Sequence, residues 1–309
     1  MIKPLNDIRV LDLSHRLPGP MAGYLLAALG AEVTKWEDQK FRDPFKEGLF
    51  KEIDPSFSHW YNELNKNKKI VIKDFKSPQF SLELKKKIIS SDIVLMGLPK
   101  KLQEKFGVTE EILKNEAYPT VILKMKASHE KKIGLHDLNI LALKNLIHLH
   151  VRDANRDHFL APPFLPIAGI GYGQTLALHG LAWLRIAKQK NKVVFKSLSL
   201  EESVEENFVP FFSNSLRQTG QDSFLHNGRY PCYGLYPLKD KGWLAVACLE
   251  EKYWLSFTKV LNLSLNPEER FHFRDRRVFS EIEAKVSTLE YEEANFIFKD
   301  IDACVTPCL

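Results

Sequence analysis

The sequence predicts an α/β fold, with a large Rossmann-like domain built on a parallel sheet and a smaller α+β domain. Short β-branched runs alternate with helical segments through most of the chain, and this alternation is typical of a parallel sheet covered by helices on both faces. The pattern changes near Asn227, where closely spaced tyrosines and a tryptophan indicate a compact β-rich section. We therefore predict a large domain over residues 1–214 and a smaller domain over residues 215–309.

The first strand–helix–strand unit lies near the N-terminus. Residues 8–13 alternate as a β-strand, and Leu17-Pro18-Gly19-Pro20 turns the chain into a helix over residues 21–29. Gly30 ends this helix, and residues 31–37 form the next strand. The turn lacks the G-x-G-x-x-G pattern of dinucleotide-binding folds, so we predict no dinucleotide site there.

The remaining elements continue the alternation. Further strands are predicted over residues 70–74, 92–96, 121–125 and 193–200. Helices are predicted over residues 81–90, 251–261 and 294–300, over most of 138–188, and in a segment containing Glu201, Glu202, Glu205 and Glu206. No low-complexity linker or internal repeat separates the two predicted domains.

Composition excludes several classes of protein. The chain has 309 residues, of which 44% are hydrophobic and 27% charged, as is typical of soluble globular proteins. The net charge of +5 is spread along the chain, and lysine-rich patches occur at residues 66–69 and 85–87. Such patches suit a solvated face or an anionic partner. Because no nucleic-acid-binding motif accompanies them, we predict no nucleic-acid partner.

The chain contains four cysteines, at Cys232, Cys248, Cys304 and Cys308. They form no C-x-x-C pair and have no matching histidine pair for zinc, so we predict no metal site and a reduced, cytoplasmic protein. The apolar run at residues 21–29 is too short to cross a bilayer. No cationic start precedes a cleavable apolar core, so we predict neither membrane association nor secretion.

A series of short segments occurs along the chain in a fixed order. They lie at residues 4–13, 18–20, 29–33, 64–69, 106–108, 118–122, 227–236, 247–250 and 302–307. In their residues and order they resemble the family III CoA-transferases, and most of all the α-methylacyl-CoA racemase branch. The resemblance spans nearly the whole chain, and its specificity comes from the number of segments found in the same order.

The resemblance implies the family III CoA-transferase fold, in which two chains are threaded through one another as interlocked rings. We therefore expect a homodimer, with each active site at the junction of the large and small domains. Members of the family continue well beyond the 302–307 segment and return to the large domain. We expect that return segment to be missing here, since the sequence stops at Leu309.

The resemblance also implies a chemistry. Racemisation of an acyl-CoA at its α-carbon needs two acid/base groups on opposite faces of a planar enolate, because one removes the proton and the other returns it. By resemblance, His136 is the first base and Glu250 is the carboxylate that orients and polarises its imidazole. Asp137 matches a position lining the path of CoA. Without the resemblance, His136 would be read as a histidine at the start of a helix and Glu250 as a solvent-exposed residue. Asp137 would be read as a helix N-cap.

The position of the second base is occupied by a glycine. In the register of the resemblance, Gly169 falls where the racemases have an acid/base aspartate and the transferases a nucleophilic one. Glycine cannot transfer a proton or attack a thioester. No Asp or Glu lies between Ala161 and Glu201 that a shifted alignment could supply. We therefore expect no appreciable racemisation, and at most slow α-proton exchange from one enantiomer.

The resemblance further implies CoA or an acyl-CoA as substrate, with no covalently bound cofactor. The basic residues assigned to CoA binding are Lys35, Lys66, Lys68 and Lys100. Asp38 lies near a position where the family commonly has a basic residue, and a carboxylate there would repel a phosphate.

Two hypotheses of different classes follow. The first is an acyl-CoA enzyme of the racemase branch, an isomerase rather than a CoA-transferase, whose proton transfer is impaired. The second is a catalytically degenerate protein, a pseudoenzyme, that keeps the fold for CoA binding or for a structural role. Thermal stabilisation by CoA distinguishes a retained pocket from a purely structural role.

Overall fold

The computed structural model describes residues 2–130, 134–147, 163–214, 217, 225–228, 230–273 and 275–309. The chain divides into two units, Met1–Arg217 and Gln218–Leu309, and each has its own buried apolar core. Among the described helices, none combines the length and the apolar character that crossing a bilayer requires.

A six-stranded parallel sheet forms the centre of the first unit, with strand order β3-β2-β1-β4-β5-β6. The strands are β1 (Arg9–Asp12), β2 (Glu32–Asp38), β3 (Lys69–Lys73), β4 (Ile93–Met96), β5 (Val121–Lys126) and β6 (Val194–Ser199). The Rossmann-like prediction is confirmed. The order reverses between β1 and β4, and in such folds ligands bind in the crevice outside the carboxyl ends of the strands at this point.

Helices cover both faces of the sheet. They are α1 (Pro18–Ala28), α2 (Leu49–Ile53), α3 (Ser56–Asn65), α4 (Phe80–Ile89), α5 (Lys100–Lys105), α6 (Glu110–Leu113), α7 (Asp137–Leu143), α8 (Ile167–Lys190) and α9 (Leu200–Asn207). Along β4, Ile93 and Leu95 join the core formed with α1 and α8, whereas Val94 and Met96 join the core formed with α4. Alternate residues therefore face opposite layers, which explains why this strand is apolar throughout.

The helix α1 begins earlier than the sequence predicted, at Pro18 rather than Met21. Proline has no backbone N–H and a φ fixed near the helical value, so it fits the first turn of a helix. Gly30 follows the helix with a φ of 104°, as expected of a glycine that ends it. Part of the helical region predicted over 138–188 falls at 148–162, outside the described residues.

The second unit is a small antiparallel sheet covered by helices. Its strands are β7 (Tyr233–Pro237), β8 (Trp243–Ala247) and β9 (Val305–Cys308), in that order. Its helices are α10 (Glu251–Val260), α11 (Arg276–Val286) and α12 (Tyr291–Phe298). Of these, α10 and α12 were predicted from the sequence and α11 was not. The signal for α11 is the four-residue spacing of Val278, Ile282 and Val286, which are all fully buried.

Charged residues are buried together at the carboxyl ends of β1 and β2. The carboxylate of Asp12 lies 3.0 Å from the Lys68 Nζ, and both side chains are fully buried. The Lys35 Nζ lies 3.3 Å from an Asp43 carboxylate oxygen and also donates to the Ser14 carbonyl. Asp12 in turn accepts the Ser14 N–H at 3.0 Å. This buried charge cluster therefore fixes the start of the loop that follows β1.

The groups of the cluster shift one another's pKa. Burial raises the pKa of Asp12, but the charges of Lys35 and Lys68 and hydrogen bonds from Ser14 and Lys68 outweigh it and lower the pKa to about 2. Burial lowers the pKa of Lys68 to about 8, against the attraction of Asp12. The folded pKa of Asp12 lies below its ordinary value of 3.8. The stability from its charge is therefore complete above about pH 4 and is lost as the pH falls towards 2.

Replacing Asp12→Asn is expected to lower the free energy of unfolding by about 3–5 kcal/mol, because the Lys68 ammonium is left buried without a charged partner. Urea unfolding followed by circular dichroism measures the change. The matched control is Lys66→Met, at an exposed lysine paired with Glu63, where the change should stay within about 0.5 kcal/mol. Equal stability of Asp12→Asn and wild type would contradict the ion pair.

Candidate functional site

The loops that follow β1 and β4 meet at the point where the strand order reverses. Ser14 lies in the first loop and Gly97 in the second. A Cβ placed on Gly97 would lie 2.8 Å from the Ser14 Cα and 2.9 Å from the Leu13 carbonyl oxygen. Any side chain at position 97 would therefore push the two loops apart, and only glycine allows the close approach.

A cavity of about 570 Å³ opens beside the loop after β1, and we call it the large cavity. Its walls come from that loop, from aromatic residues between positions 45 and 60, and from the starts of α7 and α8. Its ionisable lining residues, among those described, are His15, Arg16, His136 and Asp137. The other side chains of the lining are apolar, so the cavity suits a ligand with an apolar body and one polar reacting group.

One wall of the large cavity is a cluster of aromatic rings. The ring centroids of Phe45 and Phe57 lie 4.6 Å apart, those of Phe50 and Phe57 5.3 Å, and those of Phe57 and Trp60 5.4 Å. Rings at these distances stabilise one another beyond simple burial. This wall was not predicted from the sequence. Its signal is the density of aromatic residues between positions 41 and 61.

The loop after β1 contributes another part of the lining. Arg16 has a φ of 65°, a left-handed conformation that costs a non-glycine residue roughly 1 kcal/mol or more. Two kinds of contact hold it there: its N–H donates to the Asp43 carboxylate at 3.0 Å, and its guanidinium lies 5.2 Å from the centre of the Phe50 ring. Burial, together with the charge of Lys35, lowers the pKa of the neighbouring His15. Neither His15 nor Arg16 was predicted from the sequence.

The start of α7 places two polar side chains in the large cavity. His136 precedes the helix with an extended backbone, and its N–H donates to the Asn139 Oδ1 at 3.0 Å. Its own side chain is exposed and lines the cavity. Asp137 is the first helical residue, and its Oδ1 accepts the Gly169 N–H, at the start of α8, at 2.8 Å. The structure thus brings His136, Asp137 and Gly169 to one cavity.

Asp137 lies where a carboxylate is favoured. The N–H groups of the first turn of α8 have no partner within the helix, and the helix dipole attracts negative charge there. Burial raises the pKa of Asp137, and hydrogen bonds from the Gly169 and Ala168 N–H groups only partly offset it. The carboxyl therefore keeps its proton to a higher pH than an exposed aspartate does.

Gly169 lies in the first turn of α8, and a neighbouring side chain fills the space beside it. A Cβ built on Gly169 would lie 2.8 Å from the Leu17 Cδ2 and 3.8 Å from the Asp137 Oδ1. The backbone of Gly169 is helical, so it would accept any ordinary residue. The obstacle to a side chain here is therefore Leu17 and not the backbone conformation.

Replacing Gly169→Asp is expected to lower the free energy of unfolding by about 1–3 kcal/mol, because the new Cβ must displace Leu17. Leu17→Ala removes the contact, so the same replacement should cost at least about 1 kcal/mol less in that background. A double-mutant cycle in urea measures the coupling. Gly134→Asp is the control, since a Cβ there meets open space. Additive effects at positions 17 and 169 would show that Leu17 is not the obstacle.

The lysines assigned to CoA have two kinds of surroundings. Lys35 and Lys68 are buried within the charge cluster, where carboxylates face their ammonium groups. Both ammonium groups thus already have carboxylate partners, and their contact with CoA stays a prediction. Lys66 and Lys100 are exposed, each paired with a glutamate on its own helical turn. Their contact with CoA stays a prediction.

Two predicted acidic positions also have defined surroundings. Glu250 lies at the start of α10 in the second unit, with an exposed side chain, and its action on His136 stays a prediction. Asp38 is buried at the end of β2, and its carboxylate accepts three backbone N–H groups at 2.7–3.0 Å. Asp38 therefore closes the turn after its strand.

Two smaller cavities continue along the loop after β1, with volumes of about 350 Å³ and 290 Å³. The smaller of the two, which we call the narrow cavity, has Phe41, Phe75 and Phe106 in its lining, with the charged residues Lys76, Lys105 and Asp38. His15 lines all three cavities. The three spaces therefore follow one another at the carboxyl end of the parallel sheet.

In the described part of the second unit, Glu269, His272 and Asp275 form a group with the residue types of a metal site. The Arg277 guanidinium contacts Glu269 and lies 3.2 Å from an Asp275 carboxylate oxygen. Because this cation already neutralises the carboxylates, we assign no metal to the group.

Residues 5–309 match the family model described as CoA-transferase family III. The chain is 24% identical over 324 residues to a CaiB/baiF CoA-transferase family protein of Caenorhabditis elegans, an alignment covering 100% of this chain and 87% of that protein. It is 22% identical over 315 residues to the alpha-methylacyl-CoA racemase of Homo sapiens, covering 99% and 78% of the two chains.

Solved structures show the same fold. A CAIB/BAIF family protein from Brucella suis aligns with a TM-score of 0.76 at 16% identity, covering 100% of this chain and 85% of that one. A hypothetical protein from Mycobacterium tuberculosis aligns with a TM-score of 0.71 at 18% identity, covering 100% and 86%. At such identities the likeness concerns the fold alone.

Proposed function

The chain belongs to CoA-transferase family III, and on that premise we propose that it binds an acyl-CoA thioester and exchanges its α-proton through His136. The observation that carries the proposal is the large cavity, where one exposed imidazole faces a mainly apolar lining. Histidine is the side chain most often used as a general base, and a thioester makes the neighbouring α-proton acidic enough to remove.

The lining favours an apolar acyl group. The rings of Phe45, Phe50, Phe57 and Trp60 offer a continuous aromatic wall. Contact with this wall would remove apolar surface of the acyl chain from water, which contributes about 25 cal/mol per Å². The thioester then lies at the polar end of the cavity, beside His136.

The narrow cavity suits the nucleotide end of CoA. Its aromatic rings, among them Phe75 and Phe106, can stack against a planar base. Lys76 and Lys105 are exposed, and the Lys105 Nζ lies 5.5 Å from the centre of the Phe106 ring. These ammonium groups attract phosphates. Lys66 and Lys100 remain proposed phosphate contacts on the strength of the family resemblance alone.

We propose that racemisation is slow compared with proton exchange, and that CoA transfer is lost. Gly169 offers no group to act on the second face of an enolate and no nucleophile to attack a thioester. The protein is then an impaired member of the racemase branch. Glu250 keeps its proposed role of orienting His136.

The alternative is a degenerate protein that keeps the fold for CoA binding or for a structural role. The observation that favours it is Leu17, which fills the space that an acidic side chain at position 169 would need. An interlocked homodimer is proposed under either function, and a stable monomer in sedimentation at micromolar concentration would contradict it.

CoA is expected to raise the melting temperature of the protein, because a ligand that binds only the folded state stabilises it. Charge reversal by Lys105→Glu should weaken CoA binding at low salt, and by a smaller factor at high salt, since the phosphate attraction is screened. Lys114→Glu, at an exposed lysine outside the three cavities, is the matched control. Absence of binding at millimolar CoA would leave only the structural role.

Exchange of the α-proton of 2-methyloctanoyl-CoA in deuterated water tests the chemistry. NMR should show deuterium uptake from one enantiomer, and His136→Gln should lower its rate by on the order of a hundredfold or more while CoA binding is kept. Chiral analysis of the same samples should show inversion well below exchange. Inversion as fast as exchange at an ordinary enzymatic rate would contradict the impairment.

A further inference from the structure

The large cavity holds a carboxyl group close to Gly169. Among the described residues of its lining, Asp137 is the single side chain with a carboxyl. We infer that Asp137 is a catalytic residue that supplies the slow second proton transfer, to the face of the substrate opposite His136. The inference rests on the proposed function and deepens it, because it assigns a role to a group within the same cavity.

The position of the Asp137 carboxyl supports its role in the second proton transfer. The Asp137 Oδ1 lies 3.8 Å from the point where a Cβ of residue 169 would be. An acidic side chain at position 169 would extend into the same region of the cavity. Asp137 thus reaches, from the start of α7, a place that family members are expected to reach from the start of α8.

The carboxyl is also held in place. Its Oδ1 accepts the Gly169 N–H at 2.8 Å, which ties the start of α7 to the start of α8. A carboxyl has a second oxygen, so Oδ2 can carry a proton while Oδ1 keeps this bond. Partial burial raises the pKa of Asp137, and a proton donor works better as its pKa approaches the working pH.

Other carboxyl groups nearby form buried ion pairs that stabilise the fold. Asp12 and Asp43 are buried in the charge cluster and face Lys68 and Lys35. No Asp or Glu occurs in the sequence between Ala161 and Glu201. Within the described lining, Asp137 is therefore the acid available to complement His136.

The step is a transfer of protons alone. His136 takes the α-proton and becomes an imidazolium, and the electron pair of the C–H bond moves into the thioester to give the enolate. The neutral Asp137 carboxyl then gives its proton to the α-carbon on the other face, which leaves the inverted thioester and a carboxylate. Loss of a proton from His136 to water and gain of one by Asp137 restore the starting state.

The test compares Asp137→Asn with wild type on each enantiomer of 2-methyloctanoyl-CoA in deuterated water. Asparagine keeps an oxygen that can accept the Gly169 N–H, so the tie between α7 and α8 is retained. Deuterium uptake through His136 should stay within about threefold, whereas inversion should fall by about a hundredfold or more. Asp7→Asn makes the same chemical change at an exposed aspartate and should alter neither rate.

The outcomes separate the two claims. Equal inversion by Asp137→Asn and wild type, or equal loss of exchange and inversion, would overturn the role of Asp137 while leaving the proposed function in place. Failure of wild type to bind CoA or to exchange the α-proton would overturn the proposed function, and this inference with it. Partial recovery of inversion in Asp137→Glu, at an unchanged melting temperature, would support the need for a carboxyl.

Discussion

The geometry of the cavities depends on charges buried at the end of the first strand. Asp12 and Lys68 are fully buried together, and Lys35 holds the Ser14 carbonyl while it faces Asp43. Buried ions need such partners, since an unpaired one costs several kcal/mol. The same groups that satisfy the charges therefore fix the path of the loop after β1. Because Asp43 also accepts the Arg16 N–H, the strained turn that follows is held by the same cluster.

The sheet could be predicted from the sequence because its signals are local. A strand such as Ile93–Met96 is apolar at every position, and this pattern arises when both faces of a strand are buried. The lysines could not be placed in this way. Lys35 lies within a strand and Lys68 just before one. The local sequence around each lysine does not show that a carboxylate lies beside its ammonium group in the folded protein. Burial of a charge is decided by partners distant in the chain, such as Asp12 and Asp43.

The cavity was predictable only in part, for the same reason. The family resemblance pointed to His136, Asp137 and Gly169, and the structure brings these three to one lining. It gave no indication of His15 or of the aromatic wall around Phe57. Those residues reach the cavity through the strand order of the sheet, which brings distant loops to one edge. Local patterns therefore identify the helix starts but not the rest of the lining.

The helices α1 and α8 pack closely against each other beside the large cavity, which limits the movement of that side of the cavity. A Cβ on Gly173 would lie 2.6 Å from the Met21 Cβ and 2.9 Å from the Pro18 carbonyl oxygen. The two helix backbones are therefore so close that no side chain fits between them at this position. The backbones of the two helices therefore have little room to move towards each other beside Leu17 and Gly169. Under the proposed function, acyl groups of different shape would be accommodated by rotation of the side chains around Phe57. Selection by such a site would be strict at the reacting carbon and tolerant along the tail.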